Sequence, residues 1–179
     1  VSMKSINAVQ PFGNTVAVIY VTGEEILQAL EASTFSTPEQ IGAFPQTSGI
    51  EWTLDCTKPY AKGDVYMLNG KETTYFAPDS IQRVTITAIN GQPFDPTATY
   101  AVVTSNFIAE GGDTYNVFNR AYVAGTGFDT GVSLDQTVMQ YVTEALDGKI
   151  TAEQYGQPRG SLTMILPEAT EEEEAVEPA

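Results

Sequence analysis

Thr15-Val16-Ala17-Val18-Ile19-Tyr20-Val21, followed at once by Thr22-Gly23-Glu24-Glu25-Ile26-Leu27, decides the fold class. The first seven residues are β-branched or apolar almost without a break, which reads as a buried strand. At Thr22 the pattern changes. Thr22 suits a helix N-cap, Glu25 three residues on completes a capping box, and Ile26, Leu27 and Leu30 form an apolar stripe to about Ala32. A strand that runs straight into a helix needs a sheet with helices packed on it.

Reading outward, Lys4 to Val9 forms a short helix or turn stopped by Pro11. Gly49 to Leu54 alternates as a half-buried strand. Val65 to Leu68 is a short strand before an Asn69-Gly70 hairpin signal, and Thr73 to Phe76 adds a surface strand. Ile81 to Ile89 is a strand closed by Asn90-Gly91 and the turn Gln92-Pro93-Phe94-Asp95-Pro96, with a further strand at Tyr100 to Thr104. Leu134 to Leu146 has helical spacing, started by Ser133 or Asp135 and ended near Gly148, and Ser161 to Leu166 is a last strand. The elements interleave without regular βαβ spacing and without repeats. The expected class is α+β, a mixed β-sheet with packed helices over residues 1–166. From Pro167 to Ala179 the chain turns into a low-complexity acidic stretch, read as a disordered tail or linker.

Composition narrows the function. The chain has 179 residues, 8 Lys+Arg against 23 Asp+Glu, one Cys and no His. Outside the last thirteen residues 17 acids still face 8 bases, so no basic face exists for nucleic acid and no nucleic-acid partner is expected. Without His, neither a Ser-His-Asp nor a Cys-His system can be built from this chain, nor a His-bearing zinc or di-metal site. Cys56 has no intrachain partner and reads as a small residue ending a strand. No run of about eighteen apolar residues is present, so no membrane span is expected. Val1-Ser2-Met3-Lys4 is not a signal peptide, and apolar periodicity begins at once, as if a larger protein had been cut.

Two constellations carry chemistry. Gln10-Pro11-Phe12-Gly13-Asn14 is a tight turn before the buried strand. Ser105-Asn106-Phe107 leads a strand into the Gly111-Gly112 turn, after which Asp113 caps a short helix through Phe118. Each has a local explanation: Phe12 as a core plug, Asn14 as a turn residue, Asp113 as an N-cap. Together they describe a nucleoside pocket. Two rings can sandwich a purine, Asn14 offers donor and acceptor to a base edge, and a carboxylate such as Asp113 can bind a vicinal diol.

Four collinear motifs add a family resemblance: Val9 to Asn14, then Gly42-Ala43-Phe44-Pro45-Gln46-Thr47-Ser48-Gly49-Ile50, then Asn90 to Pro96 with Thr99-Tyr100, then Asn106-Phe107 with Gly111 to Tyr115. From about residue 4 to 166 the chain resembles the C-terminal domain of the 5′-nucleotidases, the UDP-sugar hydrolase and ecto-5′-nucleotidase group. The resemblance implies a substrate-specificity domain that stacks the base between Phe12 and Phe107, holds the ribose with Asp113, and lines the base pocket with Asn14 and Gly42. It assigns no catalytic residue and no metal ligand to this chain. Hydrolysis would belong to an N-terminal metallophosphoesterase domain with two divalent metals, which this chain lacks. Alone the chain is expected to bind weakly or not at all, and to hydrolyse nothing. The resemblance also implies a secreted, periplasmic or cell-surface protein. A 2′,3′-cyclic-nucleotide or UDP-sugar hydrolase of the same family, and a non-catalytic surface module, are the alternatives. The family's Gly-Gly-Ile/Val-Arg segment would precede Val1, the Cys56–Phe76 stretch is longer than in the bacterial enzymes, and Thr114 stands where Gly is usual.

Overall fold

The computed structural model describes residues 2–158 and 160–168. The reading of a disordered acidic tail falls mostly on residues 169–179, which lie outside the described residues. The opening strand is β1 (Thr15–Thr22), with Ala17, Ile19 and Val21 at 0–1% exposure and Tyr20 facing outward. It is the middle strand of an antiparallel sheet, between β7 (Thr99–Ser105) and β8 (Gly127–Ser133). Helix α2 (Gly23–Ser33) starts where the sequence places it, with both halves of the Thr22–Glu25 capping box formed.

A second sheet, in the order β6-β5-β2-β9, is mixed. β2 (Ile50–Asp55) pairs antiparallel with β5 (Val84–Ile89) and parallel with β9 (Leu162–Ile165), and β6 is the short Gln92–Pro93. β3 (Lys62–Leu68) and β4 (Lys71–Pro78) form a separate hairpin. Its turn, Asn69-Gly70, takes φ of 53° and 75°, the left-handed pair that a two-residue hairpin loop requires. The core joins the inner faces of both larger sheets with α2 and α4 (Asn116–Val123), through Ile19, Leu30, Trp52, Leu54, Ile86 and Phe118. Each such aliphatic or aromatic side chain contributes about 1.5–3 kcal/mol on burial. The α+β class with a mixed sheet therefore holds, with the strands divided among three sheets.

Two charges are buried at the end of α2. Glu31, at 0% exposure, accepts the backbone N–H groups of Gln82 (3.2 Å), Arg83 (3.1 Å to each oxygen) and Val84 (2.9 Å). Arg83, at 3%, donates through its guanidinium to the carbonyls of Thr34 and, at 2.6 Å, Thr37. β5 begins at Val84, not at Ile81, and the amides of Gln82 and Arg83 before it are bonded to Glu31 of the helix.

Other expectations are corrected. Asn106–Ala109 is a short helix, α3, capped by the Ser105 hydroxyl, and not the continuation of a strand. Asp113 does not cap the following helix. Its φ is +50°, α4 begins at Asn116 with Tyr115 at the N-cap position and no side-chain cap, and it runs on to Val123. The Leu134–Leu146 helix is α5 (Leu134–Gln140) continued by a π-helical turn over Tyr141–Ala145. Ser133 occupies its N-cap position, but its hydroxyl donates to Asp135 and caps nothing. β8 and α6 (Ala152–Tyr155) were not legible in the sequence. The N-terminal helix, α1 (Met3–Val9), and buried Cys56 at the end of β2 are as expected.

Candidate functional site

The pairing of β1 with β7 brings the two loops together: Val16 lies opposite Ser105, so the Pro11–Asn14 turn and α3 sit at neighbouring strand ends. The Thr15 N–H donates to Asn106 Oδ1 at 3.0 Å, tying the end of the Pro11–Asn14 turn to the first residue of α3. Phe12 lies three residues before this bond and Phe107 one residue after it. Phe12 is 85% exposed and Phe107 44%. A ring that open is not a core plug, which removes the local explanation for Phe12. The Asn14 carbonyl accepts Leu134 N–H at 2.9 Å, which fixes the other side of the turn.

Phe107 is set by the turn that follows it. Its carbonyl accepts Gly112 N–H at 2.9 Å, and its ring lies on the face of Gly112: a Cβ there would stand 2.5–2.7 Å from three ring carbons. Only glycine leaves that space. The Tyr115 N–H then donates to the Gly112 carbonyl at 3.1 Å, so Asp113 is held between two fixed points with a left-handed backbone. Among the described residues its carboxylate has one hydrogen-bond partner, the Tyr75 hydroxyl, at 3.4 Å to Oδ1. Tyr75 titrates above its ordinary range, first because of burial, then because of the Asp113 charge and that bond.

Gly42 is exposed and opens the loop that faces Asp113. Tyr115 Oη donates to the Ala43 carbonyl at 2.8 Å, and Trp52 Nε1 donates to Thr47 Oγ1 at 3.0 Å, so the loop is bonded at both ends. Burial pushes the Tyr115 hydroxyl well above its ordinary range. Between this loop and the free edge of β7 lies a cleft of about 700 Å³, lined by Gly42 and Asp113 together with Phe44, Asn90 and Tyr115. Phe12, Asn14 and Phe107 are not among its lining residues. The five residues therefore fall into two groups, joined where the Phe107 ring meets Gly112, next to Asp113. No Lys or Arg lines the cleft among the described residues. Its chemistry suits an uncharged flat ligand bearing hydroxyls, not a phosphate.

Sequence reasoning missed Asn106 as the link between loops, Tyr75 as the partner of Asp113, and Tyr115 as the tie to the 42–49 loop. Each acts across a long sequence separation and none carries a local signal. Among the described residues no group of three or more His, Cys, Asp or Glu side chains is placed to hold a metal ion.

A family profile described as "5′-nucleotidase, C-terminal domain" matches residues 1–120. The chain belongs to this family of 5′-nucleotidase C-terminal domains. It is 34% identical over 123 residues (68% of the chain) to the trifunctional nucleotide phosphoesterase protein YfkN of Bacillus subtilis. It is 32% identical over 129 residues (72% of the chain) to protein UshA of Escherichia coli. Among solved structures, a 5′-nucleotidase precursor from Thermus thermophilus superposes with a TM-score of 0.68 at 31% identity over 92% of the chain. The chain spans only 7%, 19% and 28% of those proteins, respectively, and corresponds to one part of each. The relatives also include a cell wall protein of Listeria monocytogenes and a snake venom 5′-nucleotidase. No helix among the described residues is long and apolar enough to cross a membrane.

Proposed function

We propose that this domain recognises the nucleoside part of the substrate for a 5′-nucleotidase-type phosphohydrolase of nucleotide catabolism. The base stacks between Phe12 and Phe107, Asn14 meets the base edge, and Asp113 takes the ribose hydroxyls. Gly42, which lines the cleft with Asp113, borders the base. The phosphate would lie away from this domain, which offers no cation at the site, and hydrolysis would fall to an N-terminal metallophosphoesterase portion of the same protein with two divalent metals. We place its action outside the cytoplasm, secreted, periplasmic or at the cell surface, and the cell wall protein and the venom enzyme among the relatives support that reading.

The observation that carries this reading is the Thr15–Asn106 hydrogen bond, which joins two loops 91 residues apart and sets an exposed ring on each side of it. In the protein carrying this domain together with its metallophosphoesterase portion, Phe12→Ala and Phe107→Ala are expected to lower kcat/KM for AMP by roughly 5- to 150-fold each, the worth of one base–aromatic stack. Hydrolysis of p-nitrophenyl phosphate, which has no base, should change far less. Equal losses on both substrates would make the rings structural and defeat the proposal.

A further inference from the structure

The β3–β4 hairpin is the stretch that the family resemblance leaves unexplained, and it reaches the candidate site. Asn116 Nδ2 donates to the Met67 carbonyl at 2.9 Å, so the hairpin is bonded to the first residue of α4, three residues after Asp113. Leu68 Cδ1 comes up to the face of Gly111, two residues before Asp113. On β4, Tyr75 is held in three ways. Its N–H donates to Thr73 Oγ1 at 3.1 Å, and the Thr73 hydroxyl donates back to the Tyr75 carbonyl at 3.3 Å. Its ring stands edge-on to Phe35, with centroids 5.9 Å apart and planes at 66°. Phe35 in turn stands edge-on to Tyr60 at 6.3 Å, and Tyr60 Oη donates to the Phe76 carbonyl at 2.8 Å. Phe35 follows Thr34, whose carbonyl is bonded to the buried Arg83 guanidinium. A continuous set of contacts thus runs from the core to one phenol, and that phenol points at Asp113 Oδ1.

We propose that Tyr75 is a positioning residue that sets how strictly this site demands a vicinal diol. The inference rests on the proposed role of Asp113. A carboxylate accepts two ligand hydroxyls best when its plane is fixed; Asp113 is half-buried on a turn whose neighbours are buried, and its own side chain still has rotamers to choose between. Tyr75 donates to one lone pair of Oδ1. Oδ2 and the remaining lone pair of Oδ1 stay free, facing a ligand that brings two O–H donors. Ordering the carboxylate before the ligand arrives reduces what binding must supply. A ligand without the diol gains nothing from it, so Tyr75 acts on selectivity more than on affinity for the base.

The test uses this chain, with adenosine and 2′,3′-dideoxyadenosine titrated separately and followed by NMR shifts of the Phe and Tyr rings. Three forms are compared: the unaltered chain, Tyr75→Phe, which keeps the ring against Phe35, and Asp113→Asn. The expected result is a preference for adenosine in the unaltered chain that Asp113→Asn abolishes. Tyr75→Phe should reduce the preference roughly 3- to 10-fold, the range for one hydrogen bond, with dideoxyadenosine affinity unchanged. If Asp113→Asn abolishes the preference and Tyr75→Phe leaves it intact, the Tyr75 inference alone falls. Equal weakening of both ligands by Tyr75→Phe makes Tyr75 a packing residue and also overturns it. An unaltered chain that does not prefer adenosine defeats the Asp113 assignment and, with it, the role of Tyr75.

Discussion

Replacing Gly112 by Ala should damage ligand binding while sparing the fold. The added Cβ would sit 2.5, 2.6 and 2.7 Å from Phe107 Cζ, Cε1 and Cε2. Carbon atoms rest about 3.5–4.0 Å apart, so the ring must move by about 1 Å or more. The atoms in the way are the far end of a side chain that is 44% exposed, and they can swing into solvent. The stability cost should therefore lie near the lower end of the 1–3 kcal/mol typical of overpacking, about 2–6 °C in Tm for a domain of this size. Binding loses one aromatic partner, worth about 1–3 kcal/mol, or roughly 5- to 150-fold in adenosine affinity. Gly111→Ala is the contrasting control. There φ is +88° and the new Cβ meets Asn119 Cβ at 2.9 Å and Asn116 Cα at 3.3 Å, so α4 itself is in the way. That variant should lose more stability than Gly112→Ala. Calorimetry and an adenosine titration on both variants decide the matter. Unchanged adenosine affinity in a folded Gly112→Ala chain would refute the placement of the ring as a binding element. A Tm loss larger than that of Gly111→Ala would show that the ring supports the fold.

Glu31→Ala should be strongly destabilising, by about 2–5 kcal/mol in urea unfolding, because it strands the buried amides of Arg83 and Val84 and the part-buried amide of Gln82. Glu31→Gln, which keeps one acceptor oxygen, should fall between it and the unaltered chain; a loss under about 1 kcal/mol for Ala would contradict the role given to this carboxylate. Stability should be flat from about pH 5 to about pH 10 and fall above it. Burial raises the hydroxyls of Tyr60 and Tyr115 above their ordinary value of 10.0 and pushes Tyr66 up to about 12, so the unfolded chain gives up these protons first. At the acid end, hydrogen bonds from Thr57, Thr97, Thr15 and Ser133 hold Asp55, Asp95, Asp129 and Asp135 below 3.8. Their contribution is present above that pH and is lost as pH falls below it. A Tm that rises between pH 10 and 12 would contradict the first statement, and one unaltered from pH 5 to pH 2 the second.

Much of the fold was legible because its determinants are local. The Thr22–Glu25 capping box and the almost unbroken β-branched and apolar run of β1 are written within a few residues of where they act. The Asn69-Gly70 turn is equally local, and the strands on either side of it follow from it. What could not be read depends on partners far along the chain. On an amphipathic helix Glu31 looks like a solvated charge; it is buried because the amides that satisfy it come from residues 51–53 positions away. β8 is rich in Gly, Asp and Thr and mostly exposed, an edge strand without alternation, and it forms only because β1 offers a pairing edge. Asp113 was misread as an N-cap since Gly-Gly-Asp before a helix has the composition of one. In the structure the Phe107 carbonyl closes that turn through Gly112, and Asp113 is left in the left-handed region. Of the candidate site, the residue types were readable, and the β1–β7 pairing that makes the loops neighbours, with the Thr15–Asn106 bond beside it, was not.

The central claim is that a nucleoside base lies between Phe12 and Phe107. The most direct measurement is a set of intermolecular NOEs between the adenine H2 and H8 protons of adenosine and selectively labelled Phe rings of this chain. The account predicts cross-peaks to both Phe12 and Phe107, each lost in the matching Phe→Ala variant. Cross-peaks confined to Phe44 and Phe118 in the cleft, with none to either loop ring, would contradict it.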